Sequence, residues 1–335
     1  MELLSEEIHT ENNKQSVNWK INKLRWKNPP VTPLGPDHKY QDVCLPAQYK
    51  DFAVKIRNFE VRPDDVFVFG YPKSGTTWTQ EMVWLINNNC DFRKAKKVSQ
   101  LFRFPLLELL AMVPSPQNSA DLFDEINKLP SPRHLKSHLP ISMLPEKLWD
   151  VKPKIVHITR NPKDAAISLY HHYVHLHGYL GTKEEFLNLY LEGHVFYGPF
   201  TTQINEFMQL KEANKVPFIH FINYEDMRKD LRAVIRSTAK FLEKEITDEQ
   251  VEELFKHLQV DEMRNNPSCN QDDLVFMSST LFNSPDPNFS FIRRAKVDAF
   301  KDEMSDDIQG KFDDIIVQKM GGLNIYANEK RGTGR

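Results

Sequence analysis

The sequence has few cysteines and no excess of charge of either sign. Only three of its 335 residues are cysteines, Cys44, Cys90 and Cys269, and they lie far apart. Without CxxC spacing they predict neither a disulfide framework nor a zinc site, and we interpret them as reduced thiols. The formal net charge of −2, with 27% charged residues, argues against wholesale binding to nucleic acid or to a membrane surface. Any attraction for an anionic ligand must therefore be local.

The sequence also lacks long apolar runs. No stretch of about 18 consecutive apolar residues occurs, as a membrane-spanning helix would require. The amino-terminal stretch MELLSEEIHTENNK has neither the basic start nor the apolar core of a signal peptide. The sequence therefore predicts a cytoplasmic protein that is neither exported nor inserted in a membrane.

Apolar runs separated by helical patterns predict one α/β domain built on a parallel sheet. A chain of 335 residues with 40% hydrophobic content can form a substantial core. Three near-continuous apolar runs are typical of strands buried on both faces of such a sheet, and they span residues 66–69, 154–159 and 216–222. Ligands bind beyond the carboxyl ends of strands in these sheets, so a central parallel sheet flanked by helices predicts where the site lies.

We divide the chain into two parts. Residues 1–40 are polar and end in the proline-rich stretch NPPVTPLGP, so we expect a loosely attached arm and linker. Residues 41–330 form the predicted domain. Within it, the apolar, proline-bounded stretch 101–132 is predicted to form two short helices, and residues 268–290 a long polar loop. Either could be a lid over an apolar ligand, or could simply cover the core.

The stretch VFVFGYPKSGTTW, residues 66–78, predicts a buried strand that runs through a tight loop into a helix. Backbone N–H groups in such a loop converge at the positive end of a helix, which suits a phosphate or sulfate. The stretch is not the GxxxxGK[ST] loop of kinases, because Thr76 and Thr77 follow Gly75 and the cation, Lys73, lies two residues earlier. No carboxylate placed for a magnesium ion accompanies it, which argues against a small-molecule kinase.

The segment YPKSGTTW resembles the 5′-phosphosulfate loop of the cytosolic sulfotransferases. The resemblance runs from Arg62 to Pro267, in the family's order and spacing, through RPDDVFVFGYPKSGTTW, HLKSHLP, RNPKDAAISLYHH, YGPF, NYEDM and MRNNP. It implies a P-loop-like fold and transfer of a sulfuryl group from 3′-phosphoadenosine 5′-phosphosulfate (PAPS) to a small hydrophobic alcohol or phenol. The nucleotide product would be 3′-phosphoadenosine 5′-phosphate (PAP), and no metal would take part.

The resemblance also implies a role for each residue of the site. His138 would be the general base for the acceptor proton, Lys73 would neutralise the leaving oxygen, and Lys136 would stabilise the transferring group. His134, four residues before His138, is the rival base. The residues implied to bind the nucleotide are Lys73, Ser74, Gly75, Thr76, Thr77, Trp78, Arg160, Ser168, Tyr224, Arg293 and Arg294. Among them, Arg160, Ser168 and the two later arginines would hold the 3′-phosphate, and Trp78 would stack on adenine unless it is plain core.

The sequence departs from the family in three places. Residues 293–300, RRAKVDAF, lack both glycines of the family's RKGxxGxW loop. Because alanine and aspartate do not take a positive φ freely, we expect this loop to hold the 3′-phosphate through its arginine side chains rather than through close backbone approach. Residues 258–260 replace a patch that touches adenine, which predicts lower cofactor affinity or a differently held base. The dimer motif KxxxTVxxxE falls on residues 301–310 in altered form, which predicts a monomer or an altered dimer.

The histidines of the stretch HHYVHLH leave a further question open. His171 and His175 are one helical turn apart, yet no HExxH glutamate or cysteine accompanies them, so we predict no metal site. We expect His171, His172, His175 and His177 to line the acceptor pocket, with Tyr170 and Tyr173.

Two other functions remain open from the sequence. An allylic alcohol sulfated in a closed, water-poor site could lose sulfate, which would give net dehydration. The altered 293–300 loop also fits a homologue that binds a nucleotide or an apolar ligand without turnover.

Overall fold

The computed structural model describes residues 2–8, 20–112, 122–282, 286 and 288–321. Its strands are β1 (Leu3–Glu7), β2 (Ile21–Trp26), β3 (Val43–Pro46), β4 (Val66–Phe69), β5 (His134–Ser137), β6 (Lys154–Thr159) and β7 (Ile219–Asn223). The first three form an antiparallel sheet, and the last four form a parallel sheet in the order β5-β4-β6-β7. The predicted central parallel sheet is therefore confirmed, with β4 next to its middle.

Helices cover both faces of the parallel sheet and connect its strands. They are α1 (Tyr49–Arg57), α2 (Thr76–Asn87), α3 (Phe92–Lys97), α4 (Gln100–Arg103), α5 (Leu122–Lys128), α6 (Leu148–Val151), α7 (Pro162–Leu176), α8 (Lys183–Glu192), α9 (Phe200–Ala213), α10 (Tyr224–Lys229), α11 (Leu231–Phe241), α12 (Asp248–His257), α13 (Val260–Arg264), α14 (Asp272–Phe282) and α15 (Asp306–Met320). Short 3₁₀ turns lie at Leu109–Met112, Ile141–Met143 and Ala299–Asp302.

The side chains of β4 alternate between two separate hydrophobic cores. Phe67 and Phe69 belong to the larger core, whereas Val66 and Val68 belong to the smaller one. All four residues are buried, because successive side chains of a strand point to opposite faces and helices cover both faces here. Because both faces of β4 are buried, its sequence is a continuous apolar run.

A buried ion pair joins the start of β4, which leads into the Lys73 loop, to the start of β5, which carries Lys136. The Arg133 guanidinium donates to the Asp65 carboxylate, with Nε–Oδ1 at 2.8 Å and Nη2–Oδ2 at 2.6 Å. Both side chains are almost fully buried, so the pair is bidentate and shielded from water. It stands one residue before β4 and β5, whose pairing in register places Val68 beside Lys136.

The first forty residues are not a loosely attached arm where the structure describes them. β2 pairs with both β1 and β3, and Ile21, Leu24 and Trp26 are buried in the larger core. The sequence pattern concealed this strand because only one face of it is apolar. The domain boundary near residue 40 stays a prediction, and the end at residue 330 lies outside the described residues.

The two segments predicted as possible lids lie partly outside the described residues. Residues 272–282, expected to be loop, form α14, because Asp272 and Asp273 stabilise its first turn and Leu274, Met277 and Ser278 share one face. Residues 113–121 of the first candidate lid, and residues 283–285 and 287 of the second, lie outside the description. Whether either segment acts as a lid stays a prediction.

We expect Leu24→Ala to lower the free energy of unfolding by about 2–5 kcal/mol, because the side chain is fully buried and its removal leaves a cavity. Denaturant titration of the full chain measures the change. The matched control is Val31→Ala, since Val31 is 85% exposed and should change stability by less than about 0.5 kcal/mol. Equal stability of the two variants would mean that β2 is only loosely attached.

Candidate active site

A cavity of about 650 Å³ lies beyond the carboxyl ends of the parallel strands, where the sequence places the site. Of the residues predicted to act there, those on its wall are Lys73, Gly75, Thr76, Thr77, Trp78, Lys136, His138, Arg160, Ser168, Tyr224, Arg293 and Arg294. Ser74 is not on the wall: it is buried in the loop, where its N–H donates to the Tyr71 carbonyl at 3.1 Å.

The loop between β4 and α2 can form only with glycine at two positions. A Cβ at Gly70 would lie 2.7 Å from the Ile158 carbonyl oxygen, and one at Gly75 would lie 2.7 Å from the Tyr224 ring. Gly75 also has a φ of 99°, in the left-handed region that favours glycine. It precedes α2, whose amino end has no side-chain cap, so the first N–H groups of that helix are available to an anion.

The imidazole of His138 is held in a defined orientation. Its Nδ1 donates to the Gly70 carbonyl oxygen at 2.6 Å, which leaves Nε2 as the nitrogen with the lone pair. Burial, together with the charge on Lys136, holds the pKa of His138 well below its usual range. The ring is therefore neutral and able to accept a proton at Nε2.

Glu108, which sequence reasoning missed, supports the His138 segment from behind. Its Oε1 accepts from the His138 backbone N–H at 2.8 Å and from the Tyr197 hydroxyl at 3.2 Å. Burial raises the pKa of this carboxyl group. A single carboxylate within the apolar run PLLELLAM was the signal, because a buried acid in such a run needs specific partners.

Tyr197 is also fixed by the amino-terminal sheet. Its N–H donates to the Cys44 carbonyl at 2.7 Å, and the Cys44 N–H donates to the Gly198 carbonyl at 2.7 Å. β3 therefore helps position one wall of the cavity.

The rival base His134 lies away from the cavity. It packs between Trp84 and Phe104, and its Nε2 is 3.0 Å from the Asn87 amide nitrogen. Burial lowers the pKa of His134 to about 3. The structure therefore places this histidine in the core behind β5.

The two lysines of the cavity lose a proton at lower pH than free lysines do. Burial, reinforced by the charges of Lys136, Arg160 and Arg293, lowers the pKa of Lys73 to about 7. Burial lowers the pKa of Lys136 to about 8, although Glu108 opposes the shift. The Lys73 ammonium rests 3.7 Å from the centre of the Phe291 ring, which stabilises the charge in part. The site thus concentrates positive charge that an anion would stabilise.

Arg160 connects the first cavity loop to the last. Its guanidinium donates from Nη1 to the Lys73 carbonyl at 3.1 Å and from Nη2 to the Lys296 carbonyl at 3.2 Å. It also lies 4.3 Å from the centre of the Tyr224 ring. Asp164, one turn further along α7, accepts from the N–H groups of residues 298 and 300 at 2.9 Å each. These contacts close the 293–300 loop over the end of β6.

The 293–300 loop keeps a glycine-type backbone conformation although it lacks glycine. That its arginine side chains hold the 3′-phosphate stays a prediction. Ala295 has a φ of 50° and Asp298 a φ of 60°, both in the left-handed region. The Asp164 hydrogen bonds and the Arg160 contacts impose this conformation on the loop, at a cost of about 1–2 kcal/mol per residue. Sequence propensity could not anticipate it, because the constraint comes from a distant helix.

Glu303 joins the arginines of this loop to α7 and α8. Its carboxylate accepts from Arg293 at 2.8 Å and Arg294 at 3.1 Å, and also from His171 at 2.8 Å and Lys183 at 3.1 Å. Burial alone would raise its pKa, but the hydrogen bonds from His171, Arg293 and Lys183 lower the pKa of Glu303 to about 2. Both loop arginines are therefore already paired with a carboxylate.

The opposite side of the nucleotide end is formed by Trp78 and residues 258–260. The Trp78 indole N–H donates to the Leu258 carbonyl at 2.9 Å, and its ring meets Tyr224 edge-on at 5.7 Å. Leu258 and Val260 also line the cavity. Trp78 is thus mostly buried and still part of the wall.

Two histidines contribute to the rest of the wall, which is largely apolar. His172 and His177 line the cavity with Tyr173, whereas Tyr170, His171 and His175 do not, so the expectation for these three was wrong. His171 pairs with Glu303 and His175 stacks on Phe289. Within the described ranges, no group of three or more His, Cys, Asp or Glu side chains could hold a metal ion.

We expect Ala295→Gly to raise the free energy of unfolding by up to about 1 kcal/mol. Relief of the positive φ contributes about 1–2 kcal/mol, and the greater freedom of the unfolded chain opposes it by about 0.4–1 kcal/mol. Denaturant titration gives the difference. The matched control, Ala233→Gly, lies at an exposed position of α11 and should lower stability by about 1 kcal/mol. Equal losses in both variants would show that Ala295 is unstrained.

The chain is similar to known sulfotransferases. The family model of the sulfotransferase domain matches residues 63–324. The chain is 32% identical to luciferin sulfotransferase of Photinus pyralis over 85% of this chain and 79% of that protein. It is 33% identical to sulfotransferase 1E1 of Homo sapiens over 84% of this chain and 93% of that protein.

Solved structures share the fold. A retinol dehydratase crystallised with retinol and PAP has a TM-score of 0.80 and 25% identity, and the match covers 97% of this chain and 98% of that one. A mouse sulfotransferase crystallised with PAP has a TM-score of 0.68 and 24% identity, over 86% of this chain and 96% of that one, and supports the fold alone. Among the described residues, no helix is long and apolar enough to cross a membrane.

Proposed function

The chain belongs to the sulfotransferase family, and from this premise we propose how its cavity divides between donor and acceptor. The protein is a PAPS-dependent sulfotransferase, and the acceptors of such enzymes are small molecules. The nucleotide occupies the end formed by residues 73–78, 160 and 293–294. A small hydrophobic alcohol or phenol occupies the end formed by α7, Tyr197 and Phe291.

The observation that carries this proposal is the cluster of cations around the helix amino end. Lys73, Lys136, Arg160 and Arg293 come from four separate segments and surround one cavity. The lowered pKa of Lys73 reflects burial and then the repulsion from the other three cations. Such a concentration of positive charge fits a ligand with phosphate and sulfate groups. When bound, PAPS supplies the sulfuryl group and a phosphate leaving group.

His138 removes the proton from the acceptor hydroxyl. Its Nδ1–H is engaged by Gly70, so the proton is taken at Nε2. Glu108 accepts from the His138 backbone N–H, and the Gly70 carbonyl accepts from the His138 ring. These two contacts limit the orientations that the imidazole can take. Lys73 and Lys136 place positive charge where negative charge develops during transfer.

The remaining polar residues hold the ends of the nucleotide. Arg160 and Ser168 bind the 3′-phosphate with Arg293 and Arg294, which must then share their charge between that phosphate and Glu303. Trp78 and Tyr224 contact the adenine, and Leu258 and Val260 replace polar contacts with apolar ones. The altered 301–310 stretch favours a monomer or an altered dimer; Ser305 caps α15 there. The family resemblance supports a cytoplasmic location.

The direct test is product formation from donor labelled in the sulfuryl group, with a panel of alcohols, phenols and amines. Sulfate esters of hydrophobic phenols or alcohols are expected, in the presence or absence of EDTA. Label that never reaches any acceptor, while PAP still binds, would favour a homologue that binds without turnover.

We expect His138→Ala to reduce kcat by about 10²–10⁴ while the dissociation constant of PAP changes little, because the base acts on the acceptor. Rapid-quench or steady-state assays and calorimetry measure the two quantities. His134→Ala is the control, since His134 lies outside the cavity. Near wild-type kcat in His138→Ala would remove His138 from the role of base.

We expect PAP binding to weaken as the pH rises from about 7 to 9. In the free protein the pKa of Lys73 is about 7 and that of Lys136 about 8, and the anion binds their protonated forms. Affinity is therefore complete below the lower value and falls by up to about tenfold per pH unit for each lysine above its own pKa. Calorimetry across this range gives the profile.

Lys73→Met is the control for this titration. It should bind PAP more weakly near pH 7 and should show a shallower pH dependence, because one of the two titrating groups is gone. A flat profile in the wild-type protein between pH 6.5 and 9.5 would contradict the role of both lysines.

Net dehydration of an allylic alcohol is the second candidate. The observation that favours it is the likeness to the retinol dehydratase structure over nearly the whole of both chains. The apolar wall would exclude water while sulfate leaves. Mass analysis of products from allylic and saturated alcohols separates the two outcomes. Stable sulfate esters from every substrate, with no alkene, would reject this second candidate.

A further inference from the structure

The acceptor end of the cavity contains a polar group for which the proposed reaction has no use. His172 lies on α7, one helical turn after Ser168, and its ring is part of the cavity wall. Its Nδ1 is enclosed by protein, and the described residues form no hydrogen bond to this atom. A buried polar atom without a partner costs about 1–3 kcal/mol, so its retention calls for an explanation.

The surroundings of His172 are otherwise aromatic. Its ring lies 5.1 Å from that of His177 and 5.8 Å from that of Phe291, both edge-on. Phe291 also carries the Lys73 ammonium 3.7 Å from its ring centre, so the same side chain contacts the proposed sulfuryl-transfer centre and His172. His172 therefore borders the reacting end of the acceptor pocket but enters from α7, whereas the base enters from the end of β5.

The ring of His172 is neutral. Burial, followed by the charge on Lys73, holds its pKa well below the usual range. A neutral imidazole has one N–H donor and one acceptor nitrogen, and the tautomer decides which nitrogen donates. A half-turn of the ring exchanges each nitrogen with a ring carbon. The imidazole can thus serve a hydroxyl or a carbonyl oxygen equally well.

Building on the proposed function, we propose that His172 hydrogen-bonds to a second polar group of the acceptor. The preferred substrates are then bifunctional: a hydrophobic phenol or alcohol whose reacting hydroxyl faces His138 and whose second oxygen, a hydroxyl or a carbonyl, faces His172. Acceptors without the second oxygen leave the imidazole unpaired against an apolar surface. The site discriminates against them for that reason.

The test uses matched acceptors with wild-type protein and three variants. The probes are 4-alkylphenols with chains of three to five carbons and the same phenols with a ketone oxygen in the chain, which cannot itself accept a sulfuryl group. His172→Phe keeps an aromatic ring and removes the nitrogens, and His172→Gln keeps hydrogen-bonding groups. His175→Phe makes the same change on the same helix outside the cavity wall, where His175 stacks on Phe289.

The measured preference is the ratio of kcat/KM for the best ketone to kcat/KM for the matching alkylphenol. We expect this ratio in wild-type protein and in His175→Phe to exceed the ratio in His172→Phe by about tenfold or more. His172→Gln should recover part of that preference. PAP affinity and thermal unfolding, measured for each variant, identify any that fail to fold. An equal preference in wild type and His172→Phe overturns the proposal. A loss in His172→Phe that is the same for every acceptor also overturns it, because His172 would then act on the reaction itself.

Affinity measurements separate this inference from the proposed reaction. Calorimetry of each probe with the PAP complex reports the preference without turnover. A preference that depends on His172, with no sulfate transferred to any probe, would support the second polar contact and count against the transfer reaction. Transfer of sulfate to the probes without a preference that depends on His172 would support the transfer reaction and count against the second polar contact.

Discussion

The close approach of β4 to β6 at Gly70 is the constraint on which the site depends. A side chain there would lie 2.7 Å from the Ile158 carbonyl oxygen, so the strand can end at this point only with glycine. The carbonyl of the same residue accepts from His138 Nδ1 and so orients the imidazole. One backbone position therefore fixes the spacing of the central strands, the start of the phosphate loop and the tautomer of the proposed base.

Contacts within the protein hold the positive charge of the site in place. Arg160 spans the first and last loops through backbone carbonyls, and Asp164 receives the N–H groups of the last loop. The Glu303 carboxylate accepts from both arginines of this loop. Burial of Lys73 and Lys136 lowers their pKa values, which couples anion binding to proton uptake.

The acceptor end of the cavity differs from the positively charged nucleotide end, because its wall is largely apolar. Tyr197 is held by Glu108 and by the Cys44 backbone, so the amino-terminal sheet contributes to this wall. His172 is a polar wall residue to which the transfer reaction assigns no role, and its Nδ1 has no hydrogen-bond partner among the described residues. A largely apolar pocket with such a hydrogen-bonding group selects substrates by the second polar group that they carry.

The sequence by itself determined the parallel sheet and most of the site wall, because buried strands, glycine turns and the spacing of the motif from residue 66 to 78 are local properties. Only the tertiary structure decided the rest. β2 shows one apolar face in a polar stretch, so its burial depends on partners distant in the chain. The positive φ of Ala295 opposes its local preference and is imposed by Asp164 and Arg160. Ser74, His134 and Glu303 likewise took their places through contacts across the fold, where position in sequence carries no information about distance.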